Sequence, residues 1–465
     1  MHKHPSFDAD LLRRYDRPGP RYTSYPTAPH FTSSFGEAQL REAAIASNGD
    51  PIPRRLSLYV HVPFCMSPCF YCGCNRIISR DLARGESYLA RLYREIALTA
   101  ALFDRDREVI QLHFGGGTPN FLSPAQLAEV VATLRAHFHF ADDRERDISI
   151  ELDPRYVTPG DIGELAAIGF NRASLGVQDF DPVVQAAVNR VQSVEETLAI
   201  IQACRRHRLR SVNVDLIYGL PKQNAEGFAH TLDTVVAARP DRLAVYSYAH
   251  LPAMFKAQRQ IDENDLPSPA AKLGLLQLAI EKLTAAGYVY IGMDHFALPD
   301  DELARAQDRG GLHRNFMGYT THADTDLIGL GVSAISHIGD SFSQNPRDLA
   351  SWQIPLDQGR LPIFRGMQLD EDDQLRADVI QRLMCQGEIP MAALERRYLI
   401  DFRGYFAEAL ENLQPMVEDG LVRIEPQRIV ATSRGRLLLR NMAMCFDRYL
   451  DRPADVANPR FSRAI

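Results

Sequence analysis

Short apolar runs alternate with helical patterns between residues 56 and 248, and this alternation limits the fold more than any other feature. The strands are predicted at 56–62, 109–114, 148–152, 172–177, 211–217 and 243–248. Helical patterns follow them, as at 123–138 and 194–208. Strands that alternate with helices indicate βα units around a parallel sheet. The sequence therefore predicts an α/β protein built on an open, partial (β/α)6 barrel.

Polar residues and glycines follow the predicted strands at their carboxyl ends, where ligand sites gather in parallel βα folds. A glycine triplet lets backbone approach a ligand closely, although a turn without a ligand uses the same residues. Taken singly, such carboxylates are more often solvated or structural. Their recurrence at six strand ends predicts a ligand site. The residues concerned are Gly115, Gly116, Gly117, Thr118, Glu151, Asp153, Gln178, Asp215 and 248–250.

Four of the seven cysteines fall within ten positions directly after the first predicted strand. Three thiolates on one short loop can each bind a different iron of a 4Fe-4S cluster and leave the fourth iron open to a small molecule. An open iron suggests catalysis. The clustered cysteines are Cys65, Cys69, Cys72 and Cys74. The lone cysteines, predicted to be buried fillers, are Cys204, Cys385 and Cys445.

A structural zinc and a disulfide pair are the alternatives for this cysteine cluster. A zinc ribbon needs a second pair of cysteines or histidines at a distance, which the sequence lacks. Disulfides belong mainly to small secreted domains, whereas this long chain starts without an apolar signal core. The spacing therefore favours an iron-sulfur site.

The composition is that of an ordinary globular protein, with 45% hydrophobic residues and no apolar run of membrane-spanning length. We therefore expect a cytoplasmic protein with no membrane partner. The net charge of -7 does not suggest a nucleic-acid binder, which usually carries a basic surface. Small molecules and an electron donor are the expected partners. No repeat or coiled-coil seam suggests obligate assembly, so a monomer is predicted.

At 465 residues a single core is not expected, and the pattern divides the chain into three parts. Residues 1–50, rich in Pro, Tyr and Thr, are predicted to form an ordered arm over the site. Residues 51–365 form the catalytic domain. Residues 366–465 combine amphipathic helices with strands at 421–424 and 429–431 and a helix at 436–450. This mainly helical, winged-helix-like part is expected to cap the barrel opening rather than bind DNA.

The spacing of the first three cysteines resembles the signature of radical S-adenosylmethionine enzymes. Longer segments resemble one family, the oxygen-independent coproporphyrinogen III oxidases, from Pro18 nearly to the end of the chain. The matching segments are 21–27 (RYTSYPT), 65–75 (CMSPCFYCGCN), 176–180 (GVQDF), 188–190 (VNR), 215–221 (DLIYGLP), 292–296 (GMDHF), 313–321 (HRNFMGYTT) and 461–465 (FSRAI).

The resemblance implies a barrel of the radical S-adenosylmethionine type and an oxidoreductase reaction of heme biosynthesis. Two propionates of coproporphyrinogen III would be oxidatively decarboxylated to vinyl groups without oxygen, giving protoporphyrinogen IX. A 5'-deoxyadenosyl radical made at the cluster would remove a hydrogen from the propionate β-carbon. The implied cofactors are a 4Fe-4S cluster with one open iron and two molecules of S-adenosylmethionine, with a low-potential electron donor as partner.

The same resemblance assigns site residues. The cluster ligands would be Cys65, Cys69 and Cys72. The cofactor bound to iron would be held by Tyr59, Gly116, Glu151 and Ile335. The second cofactor would be held by Tyr71, Gly117, Thr118, Gln178, Arg190, Asp215 and Ala249. A carboxylate can accept hydrogen bonds from ribose hydroxyls or an amino group, and an arginine can pair with a methionyl carboxylate.

Three assignments have a plain structural alternative. Tyr71 either stacks on the cofactor or packs beside the cluster. Cys74 is implied to be a non-ligand cysteine needed for turnover, against an inert loop thiol. Because the substrate carries four carboxylates and the chain is acidic, local cations are needed. Arg21 and Arg314 are the candidates, against ordinary surface or structural arginines.

Two rival functions stay open on the sequence alone. One is a related heme-binding chaperone, which usually lacks both the fourth cysteine and the segment around 21–26 that this chain has. The other is a radical methyltransferase acting on a different substrate, which would transfer label from the cofactor methyl group to its product.

Overall fold

The computed structural model describes residues 5–450, and its main sheet confirms the predicted barrel. All six predicted strands are present, with bounds that differ from the expected ones by a residue or two. They pair in parallel in the order in which they follow one another along the chain. The last segment of the family resemblance, 461–465, lies outside the described residues.

The strands are numbered in chain order. They are β1 (Arg55–Val62), β2 (Phe64–Cys65), β3 (Ile77–Ile78), β4 (Glu108–Gly116), β5 (His139–Phe140), β6 (Asp147–Leu152), β7 (Arg172–Gln178), β8 (Ser211–Tyr218), β9 (Arg242–Ser247) and β10 (Val289–Gly292). They continue with β11 (His295–Ala297), β12 (His313–Asn315), β13 (Gly318–Thr320), β14 (Thr325–Leu330), β15 (Ile335–Ile338), β16 (Ser341–Gln344), β17 (Arg365–Gln368), β18 (Glu388–Ile389), β19 (Val422–Ile424) and β20 (Ile429–Ala431).

The α-helices are numbered in the same way. They are α1 (Ala9–Tyr15), α2 (Glu37–Asn48), α3 (Ala83–Ala100), α4 (Pro124–His137), α5 (Pro159–Ile168), α6 (Pro182–Ala187), α7 (Val194–Arg206) and α8 (Ala225–Ala238). They continue with α9 (Pro269–Ala285), α10 (Glu302–Arg309), α11 (Leu349–Asp357), α12 (Glu371–Gln386), α13 (Met391–Tyr398), α14 (Phe402–Tyr405), α15 (Ala407–Glu418) and α16 (Leu439–Met444).

Local sequence explains where the barrel helices begin. Ser123 starts α4 with a capping box, because its side chain accepts from the Gln126 N–H and the Gln126 side chain reaches back. Thr158 and Asp161 form the same arrangement at α5, which ends at Gly169 with a positive φ. The helices bury apolar side chains against the strands, so the largest core cluster lies between the sheet and this helical layer.

A seventh parallel strand, β14, pairs with β1 and was not expected from the sequence. Tyr59 of β1 lies opposite Gly329 of β14 in this pairing. Antiparallel strands extend the sheet beyond both ends of the parallel part: β15, β16 and β17 next to β14, and β11 and β10 next to β9. The barrel therefore stays open, with a wide antiparallel extension on the side of β14.

Residues 5–50 of the N-terminal arm share a core with the C-terminal helices. Leu12, Tyr22 and Tyr25 belong to the same apolar cluster as the buried faces of α12 to α16. The Tyr22 hydroxyl donates to Asp447 at 2.9 Å, and the Arg448 N–H donates to the Tyr25 hydroxyl at 3.0 Å. The arm and the C-terminal helices are therefore packed together within the described residues.

The C-terminal part matches the predicted helices and strands with two corrections. β18 adds a third strand to the predicted pair β19 and β20. The helix predicted at 436–450 is wrong in length: a 3-10 turn at Arg436–Leu438 leads into α16, which ends at Met444. Beyond it Arg448 pairs with Asp370 and Asp372 at 2.7 and 2.6 Å, so tertiary ion pairs direct the chain away from a continuous helix.

Among residues 5–450, none of the helices has the length and apolar character needed to cross a bilayer.

Candidate metal and cofactor site

The cysteine loop, residues 65–78, is closed by a short parallel strand pair. Cys65 ends β2 and lies opposite Ile78 of β3. Backbone bonds from Ile77 to Pro63 and from Ser79 to Cys65 fix both ends of the loop. Cys65 and Cys69 are buried, and Cys74 is exposed. The loop thus presents its cysteines from a fixed base at the carboxyl end of β1, as the sequence predicts.

A hydrogen-bond donor reaches each of the three predicted ligand sulfurs. The Thr118 hydroxyl donates to Cys65 Sγ at 3.3 Å, and the Cys74 N–H donates to Cys72 Sγ at 3.4 Å. Cys69 Sγ receives two donors, both from arginine side chains. Hydrogen bonds to sulfur favour the thiolate and tune an iron-sulfur cluster. This donor set fits three thiolate ligands rather than three inert thiols.

Arg190 holds Cys69 to the barrel. Its Nη1 donates to Cys69 Sγ at 3.3 Å and to Asp153 at 3.0 Å, and its other donors meet the Gly176 carbonyl. Arg155 adds a contact to Cys69 Sγ at 3.5 Å and pairs with the same carboxylate at 2.7 Å. Most donors of Arg190 are therefore engaged within the protein, so its role towards the second cofactor stays a prediction.

Tyr71 is fixed from the opposite side by Gln258. The Gln258 amide donates to the carbonyls of Tyr71 at 2.9 Å and Ala249 at 3.2 Å, and its oxygen accepts from the Leu251 N–H. Gln258 is 2% exposed, so these bonds are shielded from water. The Tyr71 ring packs on the apolar cluster that includes Tyr248. The structure therefore joins Tyr71 and Ala249, two residues assigned to the same cofactor.

The glycines after β4 pack tightly against the strand that leads to the cysteine loop. A Cβ at Gly117 would lie 2.7 Å from the Pro63 backbone, and one at Gly116 would lie 2.4 Å from the His61 ring. The Gly117 and Thr118 N–H groups bond to the Val62 and Phe64 carbonyls at 2.8 Å each. Close packing against backbone at Gly117 and against the His61 ring at Gly116 therefore requires glycine at both positions, whether or not a ligand is bound.

Replacing Gly117 with alanine should disturb the cysteine loop, because the added Cβ meets backbone that cannot rotate away. We expect a loss of about 1–3 kcal/mol in the free energy of unfolding, typical of overpacking, together with lower cluster content. Gly274 is the matched control, since it lies in α9 with nothing within 4 Å of a Cβ. Gly274→Ala should be neutral or stabilising. Equal losses in the free energy of unfolding of the two variants, measured in urea, would contradict the packing argument.

Glu151 lies at the carboxyl end of β6 with donors on two sides. Its Oε2 accepts from the Gly116 N–H at 3.2 Å, and its Oε1 lies 3.3 Å from His113 Nε2. Burial raises the pKa of Glu151, but His113 and the Gly116 N–H outweigh this and hold it below its ordinary value. The Tyr59 ring stacks on His113 with centroids 5.8 Å apart. Three residues assigned to the first cofactor, Tyr59, Gly116 and Glu151, are therefore brought together.

Ile335, the fourth residue of that set, begins β15 on the far side of β14. A Cβ at Gly329 would lie 2.5 Å from the Ile335 carbonyl oxygen, and Gly329 lies opposite Tyr59. Ile335 therefore lies next to the strand position that faces Tyr59. Gln178 ends β7 with a φ of +69°, and its Oε1 is buried without a hydrogen-bond partner among the described residues. An unpaired acceptor at the site fits an incoming donor group.

Asp215 faces a cavity of about 160 Å³ inside the barrel, which Glu151 also lines. Ser174 and Asn213 donate to Asp215 at 3.1 and 2.8 Å. Burial and then the charge of Glu151 raise the pKa of Asp215 to about 6, against an ordinary 3.8. The two carboxylates therefore share one cavity with opposite shifts in pKa.

The raised pKa of Asp215 gives a pH-dependent stability. Its contribution is fully present below pH 3.8 and is lost as pH rises through about 6. Asp215→Asn removes this dependence, so the melting temperature of the variant relative to the wild type should rise between about pH 4 and 6 and change little at higher pH. Thermal melting of the cofactor-free proteins tests this, with exposed Asp142→Asn as the control. A difference in melting temperature between Asp215→Asn and the wild type that does not change with pH would contradict this prediction.

The two predicted substrate arginines are neighbours. Arg314 donates to the Arg21 carbonyl, and Arg21 forms an ion pair with Asp294. Their guanidinium groups lie over the rings of Tyr319 at 5.4 Å and Tyr246 at 5.7 Å. Both rings line the cavity that contains Glu151 and Asp215. The two guanidinium groups therefore lie against two rings that line the cavity, although neither arginine itself lines that cavity.

Sequence reasoning missed several residues that build this site. Asp153 was noted only as a strand-end carboxylate, and its pairing with two arginines could not be deduced. Arg155 and Gln258 carried no motif, because each acts through contacts between distant segments. The lone cysteines were expected to be buried; Cys204 and Cys385 are, whereas Cys445 is only half-buried.

Comparison with known proteins places these residues in a family context. Residues 59–235 match the Radical SAM superfamily, and residues 369–438 match the HemN C-terminal domain. An oxygen-independent coproporphyrinogen III oxidase from Pseudomonas aeruginosa is 53% identical over 459 residues, which cover 99% of each chain. The protein of the same name from Escherichia coli K12 is 49% identical over 459 residues, which cover 99% of this chain and 98% of the relative.

A solved structure agrees with these sequence matches. Coproporphyrinogen III oxidase (HemN) from Escherichia coli, described as a radical SAM enzyme, aligns with a TM-score of 0.91 at 48% identity. The alignment covers 96% of this chain and all of that chain. The likeness therefore extends over the barrel, the arm and the C-terminal helices together.

Proposed function

The chain belongs to the oxygen-independent coproporphyrinogen III oxidases of the radical S-adenosylmethionine superfamily, and on this premise we propose how its own residues serve the reaction. The enzyme is an oxidoreductase that decarboxylates propionates of coproporphyrinogen III to vinyl groups, giving protoporphyrinogen IX in heme biosynthesis. The single observation that carries this function is 53% identity over 99% of the chain with an oxidase of that name.

Cys65, Cys69 and Cys72 are the proposed cluster ligands, and the family implies a 4Fe-4S cluster with S-adenosylmethionine. When bound, this pair supplies the 5'-deoxyadenosyl radical that removes a hydrogen from the substrate. The protein's part is to hold the sulfurs, and the donors from Thr118, Arg190 and the Cys74 N–H support this assignment. An iron left open for the cofactor follows from the count of three ligands.

The first cofactor is assigned to the pocket formed by Tyr59, Gly116, Glu151 and Ile335. Glu151 is an acceptor held ionised by His113, so it can receive the cofactor's amino group. Tyr59 lies between His61, whose Nδ1 is 3.1 Å from the phenol oxygen, and the ring of His113. These neighbours restrict the Tyr59 side chain and exclude water from that side of the pocket.

A second S-adenosylmethionine is assigned to a neighbouring set of residues. The proposed residues are Tyr71, Gly117, Thr118, Gln178, Arg190, Asp215 and Ala249. The unpaired Gln178 oxygen and the Asp215 carboxylate supply acceptors for hydroxyl or amino groups. Cys74 is proposed to act in turnover without binding iron. Its exposure and its contact with Cys72 support a thiol that is accessible beside the cluster.

Arg21 and Arg314 are proposed to receive substrate carboxylates. Each charge-assisted hydrogen bond contributes about 1.5–3 kcal/mol, so two arginines can supply much of the affinity for a tetracarboxylate. Arg21 already pairs with Asp294. A substrate propionate would therefore replace the aspartate as the partner of Arg21, which keeps the guanidinium paired in both states.

The finer attributes of the protein are also proposals. We assign residues 1–50 to the arm, 51–365 to the catalytic domain and 366–465 to the C-terminal cap. We also propose a cytoplasmic monomer that takes electrons from a low-potential donor.

The decisive experiment is anaerobic. The cluster is reconstituted, then reductant, S-adenosylmethionine and coproporphyrinogen III are added, and tetrapyrroles and 5'-deoxyadenosine are followed by mass spectrometry. Two successive losses of formic-acid mass are expected in the wild type and none in Cys65→Ala. Tight heme binding without conversion would favour the chaperone instead, and a methylated product would favour the methyltransferase.

A further inference from the structure

Arg155 is an arginine that carries no motif and that the proposed chemistry does not use. It lies in the 3-10 turn Pro154–Tyr156 that follows β6, and its side chain is 11% exposed. Its Nη2 donates to Cys69 Sγ at 3.5 Å. Arg155 is therefore one of two arginines that contact a sulfur assigned to the cluster, and the second, Arg190, has a cofactor assigned to it.

The carboxylate of Asp153 holds Arg155 in this position. One oxygen, Oδ1, accepts from the Arg155 backbone N–H at 3.2 Å and from Nε at 3.0 Å, and the other accepts from Nη2 at 2.7 Å. A paired contact of this kind fixes the plane of the guanidinium group as well as its distance. The backbone bond alone caps the turn, so the guanidinium group is not needed for the cap. Its direction towards Cys69 therefore needs another explanation.

The donors to the three proposed ligand sulfurs differ in charge. Cys65 Sγ accepts from a neutral threonine hydroxyl, and Cys72 Sγ accepts from a backbone N–H. Cys69 Sγ accepts from two guanidinium groups, those of Arg155 and Arg190. Among the described residues, Cys69 is thus the ligand sulfur with charged donors. Hydrogen bonds to the sulfurs and the local charge are among the factors that set the reduction potential of an iron-sulfur cluster.

The charges beside Cys69 sum to one positive charge. Arg155 and Arg190 contribute two positive charges, and Asp153 contributes one negative charge. These three side chains are 11%, 7% and 6% exposed, so water screens them little. A reduced cluster carries one more negative charge than the oxidised cluster, and a nearby cation stabilises the reduced form. Without Arg155 the remaining pair, Arg190 and Asp153, would be neutral.

We propose that Arg155 is a positioning residue: held by Asp153, it orients Cys69 and raises the reduction potential of the cluster that this sulfur binds. The inference rests on the proposed function, because it concerns the cluster that this function requires. It extends that function by naming a residue that eases reduction of the cluster by the electron donor. The electron comes from the donor, and Arg155 itself neither accepts an electron nor moves a proton.

The test is an anaerobic redox titration of the reconstituted proteins with dithionite, in which electron paramagnetic resonance measures the reduced cluster. Iron and sulfide are determined in the same samples. Arg155→Gln removes the charge but keeps an N–H donor, whereas Arg155→Lys keeps the charge. We expect the ratio of reduced to oxidised cluster at a given potential to fall about tenfold in Arg155→Gln, which corresponds to about 59 mV for one electron. Arg155→Lys should titrate close to the wild type.

Tyr156→Phe is the matched control. Tyr156 follows Arg155 in the same turn, and its hydroxyl donates to Ser67 of the cysteine loop at 3.0 Å. The variant therefore removes a contact with the loop without changing any charge. If Arg155 only braced the loop, Tyr156→Phe would shift the reduction potential in the same way. We expect the potential of Tyr156→Phe to equal that of the wild type.

Each outcome decides the question. An unchanged potential in Arg155→Gln overturns the inference, and so does a shift of the same size in Arg155→Lys or in Tyr156→Phe. Loss of the cluster from Arg155→Gln overturns it as well, because Arg155 would then be needed for assembly rather than for the potential. If the wild type itself assembles no 4Fe-4S cluster or forms no 5'-deoxyadenosine, the proposed function fails instead, which keeps the two failures distinct.

Discussion

Replacing Cys69 with alanine should abolish both turnover and the iron-sulfur absorbance of the reconstituted protein. Cys69 is the buried sulfur to which Arg190 and Arg155 donate at 3.3 and 3.5 Å. Its loss removes one of three proposed ligands and takes one acceptor from each guanidinium group, although both still pair with Asp153. We expect no 5'-deoxyadenosine above background in the anaerobic assay, and iron and sulfide contents well below those of the wild type.

Cys204→Ala is the control for this experiment. Cys204 is buried in α7, far along the chain from the loop, and nothing assigns it to the site. Its replacement removes a single buried sulfur, so a loss of about 1 kcal/mol in stability with normal cluster content is expected. A Cys69→Ala protein that retains a full cluster and forms 5'-deoxyadenosine would refute the three-ligand assignment.

The largest effect on stability is expected at Arg107. Its Nη2 lies 2.7 Å from Asp326, and the two side chains are 2% and 0% exposed. Arg107 also donates to the carbonyl of Arg54 and the amide oxygen of Asn48. Arg107→Ala leaves the buried Asp326 carboxylate of β14 with Arg54, whose Nη1 lies 4.0 Å away, as its remaining cation. Removal of one partner of such a pair typically lowers the free energy of unfolding by about 3–5 kcal/mol.

An exposed arginine on the neighbouring strand is the control, because it distinguishes the effect of burial on stability from the effect of charge. Arg55 pairs with Glu108 and Glu145 at 3.4 and 3.2 Å, but its side chain is 47% exposed. Solvent screens such pairs, so Arg55→Ala should cost no more than about 1 kcal/mol. Urea unfolding of the two variants measures the difference. Similar losses would show that burial of the Arg107–Asp326 pair does not determine its contribution.

The parallel barrel was predictable because each of its first six strands is a short apolar run followed by a helical pattern. β14 was not, although all six of its residues are buried. It contains Gly329 and follows two three-residue strands rather than a helix, so no βα signal precedes it. Its place next to β1 depends on pairing between segments about 270 positions apart, which periodicity does not report.

The site, like the fold, has a part that the sequence predicted and a part that it did not. Spacing pointed to the four clustered cysteines, because ligands on one loop are close in sequence, and the family resemblance selected Cys65, Cys69 and Cys72. The groups that hold the loop come from distant segments: the resemblance named Arg190 for a cofactor rather than as a donor to Cys69, and Gln258 carries no motif. The predicted helix at 436–450 failed for a related reason: the ion pairs of Arg448 with Asp370 and Asp372 outweigh the helical pattern.

The core shared by the arm and the C-terminal helices has a consequence for biosynthesis. Leu12, Tyr22 and Tyr25 are synthesised before the barrel, whereas their partners, including Asp447 and Arg448, are synthesised after it. Domains generally fold in the order of synthesis. The barrel can therefore form while the arm is still unpaired, and the arm reaches its place only after residues 447 and 448 have been made. A nascent chain stalled before residue 440 should expose those tyrosines to protease.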